Sequence, residues 1–544
     1  MKKVLFYNGQ VFTVNQNDEI VEAVLIEGNK IKHVGASSEL YKLADEDTTC
    51  IDLEGKALLP GFIDAHCHIA STVFVENTEI VDFFATAQNG VHSISDLQMK
   101  VKEAVSKHQK DEWIIASFYN QNALKEERHI TRIELDEVSP DNPVVLLREC
   151  GHVGVFNTKG LEKIHFFERE NEFDKAHIYY DENGFPNGVL KEKAFLPNLK
   201  YVCADYSDDF FVDWLGKMGD RLSQLGITSI HDAGGLGTET FRHYQLAVDK
   251  GVANFRTYVM GGYYPLTMDQ QVENCRDYIK GGFYSGFGNE KLRMGPAKLL
   301  LDGSTSGPSS SMKEPYCHDG KQFPMTLSVE EIEDTVLFAH KNHFQFTSHA
   351  VGDLTVDTLV TAYEKAMQMY PRNNCRHRIE HCGFATPDVI ERIKKLDLIP
   401  IANPAFIYFN GSKYNQFYGE RTNYMFPQKT MLDQGVMTAV GSDYPVTPLN
   451  PIYGLIGMLE RQDGRTKEAV GEMQKLDILQ AIRAATYNGA YASFEENIKG
   501  SIEEGKLADL VVLSKPLLNI SSENLHALEV EMTMFDGRIV YEKN

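Results

Sequence analysis

The chain has 544 residues, of which 42% are hydrophobic and 24% are charged, a composition that is typical of a folded globular protein and excludes extended disorder. Acidic residues outnumber basic residues by 77 to 54, and the resulting formal net charge of −23 disfavours nucleic acid and anionic membranes as partners. The length has room for roughly two to four domains, or for one large barrel with additions.

The N-terminal residues 1–58 consist of short apolar segments separated by Asn-Gly and Gly-Asn turns, which predicts a small β unit. The first apolar run ends after four residues and no cleavage site follows, so we expect a cytoplasmic protein. No window reaches the roughly 18 apolar residues that a membrane helix requires. The eight cysteines are scattered and form no CxxC pair, which indicates reduced thiols.

Short apolar runs then alternate with longer helical patterns, as in chains built from parallel βα units. Eight such runs end in, or directly before, a polar or glycine residue, at 57–65, 227–233, 255–260, 292–302, 344–349, 377–381, 398–403 and 436–443. Eight parallel strands are the number of a TIM barrel. The stretch 69–215 is too long for a single crossover, so it predicts an inserted subdomain or lid.

The C-terminal segments 510–513, 530–534 and 539–541 resemble the N-terminal ones, so both chain ends are expected to join in one small sheet structure. The predicted fold class is therefore α/β. A (β/α)8 TIM-like barrel at 59–489 carries the insert at 69–215 after its first strand. Residues 1–58 and 490–544 form a small β-sandwich.

Several predicted strands end in side chains that bind metals. His66 and His68 are two residues apart, so both imidazoles point the same way in an extended chain. His349, His381 and Asp443 end three other strands. Because a barrel gathers its active site at these strand ends, and zinc prefers imidazole and carboxylate ligands, the set predicts a metal site. Each residue alone could instead cap a loop or join a polar network.

Lys298 lies within an apolar strand, where an unpaired cation is costly to bury. One explanation is a buried salt bridge, or a side chain whose amine reaches solvent. The other is that metal charge keeps the amine neutral, so that it adds carbon dioxide and forms a carbamate that bridges two ions.

Taken together, these motifs resemble the amidohydrolase superfamily, and within it the YtcJ-like branch that includes N-substituted formamide deformylases. The resemblance covers nearly the whole chain. It rests on His66 and His68 after residues 60–64, and on the segments 298–303, 349–353, 378–381 and 441–443, with support from 188–190 and 500–510.

The resemblance implies a metal-dependent hydrolase that opens an amide-type C–N bond, N-formyl, N-acyl or related, of a small molecule. Two zinc ions would activate the attacking water. The resemblance assigns the metal site to six residues: His66 and His68 on the more buried ion, His349 and His381 on the more exposed ion, Lys298 as the carbamate bridge, and Asp443 as ligand and proton shuttle.

Other reactions stay open. The resemblance implies that deaminases of the superfamily carry Glu three residues after the histidine of the fifth strand, here His349. This chain has Gly352 at that position. Deamination is therefore disfavoured, whereas hydrolysis of a cyclic amide or an ester is hardly separated from the favoured reaction. A non-catalytic barrel should have lost ligand positions, and none is lost here. We expect a small-molecule substrate and leave a homodimer open.

Three further residues are candidate substrate contacts. His152, in the insert, belongs to a segment that is common in the resembling family, and it could reach a substrate from a lid or merely pack a loop. His231 ends the second predicted strand. Asp302 shares strand parity with Lys298 and lies nearer the barrel mouth, so it could orient a polar group of the substrate.

Overall fold

The computed structural model of the chain describes residues 2–75, 91–148, 150–202, 207–235 and 237–543. In these ranges the strands are β1 (Lys3–Tyr7), β2 (Gln10–Phe12), β3 (Ile20–Val21), β4 (Ala23–Glu27), β5 (Lys30–Gly35), β6 (Thr48–Asp52), β7 (Ala57–Pro60), β8 (Phe62–Cys67), β9 (Ile114–Tyr119), β10 (Val144–Arg148), β11 (Val153–Phe156), β12 (Ile178–Tyr180), β13 (Pro186–Lys191), β14 (Ile227–Asp232), β15 (Arg256–Gly261), β16 (Leu292–Leu300), β17 (Phe346–Ala350), β18 (Arg378–His381), β19 (Ile399–Ala402), β20 (Ala439–Val440), β21 (Leu510–Leu513), β22 (Val530–Phe535) and β23 (Arg538–Glu542). The longer α-helices of the same ranges are α1 (Ile94–Val105), α2 (Asp208–Gln224), α3 (Thr240–Asp249), α4 (Gln271–Lys280), α5 (Val329–Lys341), α6 (Asp353–Met369), α7 (Pro387–Lys395), α8 (Ala405–Tyr418), α9 (Pro451–Glu460) and α10 (Ile478–Ala485).

Eight parallel strands form a barrel in the order β8-β14-β15-β16-β17-β18-β19-β20, which confirms the predicted fold class. The first and last strands meet just beyond β20. There the Asp443 amide donates to the His66 carbonyl at 2.7 Å, and the His68 amide donates to the Tyr444 carbonyl at 2.8 Å. Gly441 permits this approach, because a Cβ at that position would lie 2.5 Å from the His66 nitrogen. Two predicted ligand segments are thereby fixed side by side.

Strand β16 shows why a lysine faces the interior of the barrel. Ala297, Leu299 and Leu301 belong to the apolar core that the barrel shares with α5 and α6. Since side chains alternate along a strand, Lys298 points the other way, into the barrel. Both sides of the strand are buried, as in most parallel sheets.

The two chain ends form two further sheets, ordered β5-β4-β1-β6 and β23-β22-β21-β7-β2-β3. The C-terminal strand β21 runs antiparallel to β7, so both ends share one sheet. The prediction of one strand over 57–65 is wrong. Gly61 still donates to Asp509 beside the terminal sheet, at 2.8 Å, whereas Phe62 donates to Gly226 beside the barrel, at 3.0 Å. The chain therefore changes sheets at Gly61.

The insert contains a five-stranded sheet in the order β12-β13-β11-β10-β9. Its Phe156 and Leu190 share an apolar cluster with Tyr263 and Leu300, which lie at the ends of β15 and β16. The insert thus packs beside the carboxyl ends of these barrel strands. The predicted domain limits stay predictions, and the limit at Leu215 falls inside α2.

No helix among the described residues combines the length and the hydropathy that crossing a membrane requires.

Candidate metal centre

The predicted histidine ligands converge at the carboxyl ends of the barrel strands. The rings of His349 and His381 have centroids 4.4 Å apart, and those of His66 and His381 are 4.8 Å apart. His68 completes the group, with its ring centroid 5.3 Å from that of His66. Four imidazoles from three strands of the barrel therefore share one small space.

Asp443 joins this group. Its Oδ1 lies 3.2 Å from Nε2 of His66 and 3.2 Å from Nε2 of His68. The ligand atoms of these three residues all lie within 4.8 Å of one another, close enough to hold one metal ion. Although burial acts in the opposite direction, the two neighbouring histidines hold the pKa of the Asp443 carboxyl well below its usual range.

The histidine rings are oriented through their second nitrogen atoms. Nδ1 of His66 lies 2.5 Å from a Glu380 oxygen, and Nδ1 of His381 lies 2.7 Å from Oδ1 of Asn403. Nε2 of His349 contacts the Gly303 carbonyl oxygen at 3.1 Å. Metal-binding histidines are typically held in this way by carboxylates, amides or carbonyls, which leaves the other nitrogen for the ion.

The buried atoms also fit a cation. Nε2 of His66 is inaccessible to solvent and has no partner with hydrogen-bond geometry, although Asp443 is near. An unsatisfied buried nitrogen is costly, and a metal ion would remove that cost. Imidazole nitrogens with a carboxylate are the donor set that zinc prefers.

Glu380 is a site residue that sequence reasoning did not single out. It is fully buried, accepts hydrogen bonds from Nε and Nη2 of Arg378 at 2.8 and 2.9 Å, and accepts another from Thr347 at 2.5 Å. Burial would raise the pKa of Glu380, but Arg378 and His66 hold it well below the usual value. The only sequence signal is the position of this carboxylate directly before His381.

Backbone conformation brings His381 into the site. Glu380 faces the barrel interior, so strict alternation would send His381 to the outer side. The φ angle of His381 is +68°, in the left-handed region that residues other than glycine adopt at an energetic cost. Asp443 has a φ of +57°. Two predicted ligands thus occupy the kind of strained position that is concentrated in functional sites.

Lys298 is buried and faces the same interior. Its Nζ lies 5.3 Å from the centre of the Tyr263 ring. Burial lowers the pKa of the amine to about 8, although Glu380 and Asp443 act against this shift. Within the described ranges, no carboxylate forms an ion pair with Lys298, so the salt-bridge explanation has no support there.

His152 lies beside the metal centre, as the structure places its ring centroid 5.3 Å from that of His349. Its Nδ1 lies 2.8 Å from an oxygen of Glu192, a second residue that the sequence did not reveal. Burial alone would lower the pKa of His152, but Glu192 raises it to about 9. The insert therefore presents an imidazole to the space above the predicted ligands.

The other two predicted substrate contacts are engaged with the protein itself. His231 is fully buried, and its Nδ1 accepts a hydrogen bond from Nη1 of Arg378 at 2.9 Å. The Asp302 carboxylate accepts backbone N–H groups of Ser311, Val351 and Gly352 at 2.8 to 3.0 Å. Oδ1 of Asp302 also lies 3.4 Å from Nε2 of the predicted ligand His349. The substrate contacts of His231 and Asp302 stay predictions.

A second cluster, His340, Cys375 and His377, also has metal-binding atoms within 4.8 Å of one another. However, the Phe346 amide donates to Nδ1 of His377 at 2.9 Å, which places the proton of the neutral ring on Nε2. That proton is directed at Nδ1 of His340, 2.9 Å away, and His340 in turn contacts the Tyr370 carbonyl at 2.7 Å. The cluster is a satisfied hydrogen-bond chain.

Comparison with known proteins gives concordant results. A sequence model described as the amidohydrolase family matches residues 49–541. The chain is 27% identical to the putative amidohydrolase YtcJ of Bacillus subtilis (strain 168), over 100% of both chains. It is 28% identical to an N-substituted formamide deformylase of Arthrobacter pascens, over 100% of this chain and 99% of that protein. An uncharacterized metal-dependent hydrolase from Pyrococcus horikoshii OT3 has a similar structure, with a TM-score of 0.72, 22% identity, and coverage of 95% of this chain and 98% of that one.

Proposed function

The chain belongs to the amidohydrolase family, and from this premise we propose that it hydrolyses an amide-type C–N bond of a small molecule, with N-formyl and N-acyl compounds as the preferred class. The observation that carries the proposal is the convergence of His66, His68, His349, His381 and Asp443 at the barrel mouth. The full-length similarity to an N-substituted formamide deformylase supports the choice of bond.

We further propose that the site holds two divalent ions, with zinc as the expected metal. His66 and His68 would bind one ion, and His349 and His381 the other. Lys298 would link the two after its neutral amine forms a bond to the carbon of dissolved carbon dioxide and loses a proton, which yields a carbamate anion. Lys298 is buried, and its charge would lower the pKa of each of the four histidines. Among the described residues it forms no ion pair with a carboxylate, which also supports this role.

When bound, divalent ions lower the pKa of water and polarise a carbonyl group, which is the chemistry that amide hydrolysis needs. The protein supplies the proton transfers. Asp443 is kept ionised by His66 and His68 and has an oxygen within the ligand group, so it can accept a proton from the attacking water. The same carboxyl can then return the proton to the amide nitrogen, because an amide nitrogen leaves poorly unless it is protonated.

His152 is proposed to contact the substrate from the side of the insert. The ring of His152 lies against the ring of His349, a predicted ligand. It belongs to a segment that supplies no predicted ligand, so it is expected to act on the reaction through the bound substrate.

A substrate panel tests the bond assignment. Formamides, longer N-acyl amides, lactams and aryl esters would be offered to the purified protein at equal concentration, and kcat/KM would be measured for each. The proposal expects open-chain formamides or acyl amides to give the highest values. A preference for lactams or esters of tenfold or more would contradict it.

A further inference from the structure

A buried carboxylate joins the insert to the barrel beside the metal centre. Glu192 is only 4% exposed, and both of its oxygens are engaged. One oxygen lies 2.8 Å from Nδ1 of His152, and the other accepts a hydrogen bond from the Ser309 hydroxyl at 2.8 Å. Glutamate is rarely buried to this degree unless it is paired, so these two contacts account for its position.

The same residues form a continuous path to a predicted metal ligand. A Cβ on Gly303 would lie 2.4 Å from the Ser309 hydroxyl oxygen and 2.8 Å from the Glu192 carboxylate, so only glycine fits there. The Gly303 carbonyl oxygen contacts Nε2 of His349 at 3.1 Å. The ring of His349 in turn faces that of His152, with centroids 5.3 Å apart. His152 therefore has Glu192 at one ring nitrogen and the ring of His349 beside it, and these two contacts fix its position relative to the metal centre.

The contact with Glu192 also determines which atom of His152 is available. Because the carboxylate occupies Nδ1, Nε2 is the ring nitrogen that remains for a substrate. A carboxylate on one nitrogen of an imidazole restricts ring rotation and selects the protonated position, as in other histidines that act in catalysis.

We propose that Glu192 is a positioning residue, which orients His152 toward the substrate and thereby sets the rate and selectivity of hydrolysis without touching substrate or metal. This inference rests on the proposed function. It differs from a purely structural role, in which Glu192 would only fasten the insert to the barrel. Glu192 contacts Ser309 of the barrel with one oxygen and His152 with the other. Attachment of the insert and orientation of His152 can therefore be tested by separate mutations.

The test compares Glu192→Gln, Glu192→Asp, Ser309→Ala and His152→Ala in the metal-loaded enzyme. Glu192→Gln should lower kcat by about 10- to 100-fold, the usual loss for a charge-assisted contact of this kind, while metal content and Tm stay at the wild-type level. Glu192→Asp should recover part of the rate, and Ser309→Ala should lose less than tenfold. Glu182→Gln, an exposed glutamate of the same insert, is the matched control and should leave kcat unchanged.

Combining Glu192→Gln with His152→Ala should be no worse than His152→Ala alone, because residues that act as a unit are not additive. Additive losses would overturn the proposal, as would a Ser309→Ala enzyme as slow as Glu192→Gln. If the wild-type protein hydrolyses no amide of the panel, the proposed function fails by itself. Crystal structures then decide the inference: rotation of the His152 ring in Glu192→Gln supports it, and an unchanged ring overturns it.

Discussion

Nδ1 of His66 lies 2.5 Å from an oxygen of Glu380, and both side chains are fully buried. Glu380 also accepts hydrogen bonds from Arg378 in β18 and from Thr347 in β17, and these hold the carboxylate in place. This arrangement directs Nε2 of His66 toward His68 and Asp443. A carboxylate behind a ligating imidazole also raises its basicity, and such partners strongly affect metal affinity.

Glu380→Gln should therefore weaken metal binding by about 10- to 100-fold, because the amide cannot supply the negative charge behind His66. Metal retained after dialysis against a graded series of chelator concentrations measures this. Glu364→Gln, on the outer helix α6, is the matched control. Equal metal retention in wild type and Glu380→Gln would show that the contact is only structural.

Lys298→Ala should lose metal and activity together, because it removes the proposed bridge. Short carboxylates such as formate, acetate or propionate should restore part of both, since they can take the place of a carbamate. Metal analysis and kcat, measured with and without each acid, provide the readout. A Lys298→Ala protein with wild-type metal content and rate would disprove the bridging role.

Asp443→Asn should preserve the fold, because the side chains are nearly isosteric, but it removes the proposed proton acceptor. General acid–base groups typically contribute about 10²- to 10⁴-fold, and the loss of a predicted ligand adds to this, so the fold loss in kcat should lie at the upper end of that range or beyond it. Circular dichroism and Tm check the fold. A loss of less than about tenfold, well below the usual contribution, would exclude Asp443 as the proton shuttle.

The buried chain of His340 and His377 predicts a pH dependence of stability. Burial and His340 lower the pKa of His377 well below its ordinary value, whereas an unfolded histidine titrates near pH ~6.5. Below that pH the unfolded chain binds a proton that the folded protein does not bind. Stability from the neutral ring is thus fully present above pH ~6.5 and is lost as the pH falls, at about 1.4 kcal/mol per pH unit.

Accordingly, the free energy of unfolding of His377→Asn should fall less steeply than that of wild type between roughly pH 6 and pH 5. Urea unfolding at several pH values measures both slopes in the metal-free protein. His343→Gln, an exposed histidine of the same region, should keep the wild-type slope. Parallel curves for His377→Asn and wild type would contradict the neutral, buried state of His377.

The alternation of apolar runs with helical patterns was enough to predict the barrel. Each βα unit is a local sequence pattern, and eight parallel strands are the number that closes a TIM barrel. The same logic placed His66, His68 and His349 at one mouth. Glu380 could not be assigned, since its partner His66 is 314 positions away in sequence. The turn of His381 into the site depends on a left-handed backbone that alternation does not predict.

Two other features depended on tertiary structure. The apolar run over 57–65 resembles a single strand, because its residues are buried in the terminal sheet as well as in the barrel. The change of sheet at Gly61 is visible only in the hydrogen-bond partners of the backbone. Glu192 and His152 are separated by a strand pair of the insert, so their contact becomes visible only when β11 and β13 are paired. Residues that position others leave little sequence signal.

The proposed function, a metal-dependent amide hydrolase, requires that activity follows metal content. The most direct test is to remove metal from the purified protein with a chelator, confirm the loss by elemental analysis, and titrate zinc back while the rate of hydrolysis of an N-formyl amide is recorded. The rate should be near zero without metal, should rise with added zinc, and should reach a plateau near two equivalents in wild type but not in His66→Ala. A metal-free protein that hydrolyses the amide at the full wild-type rate would contradict the proposed function.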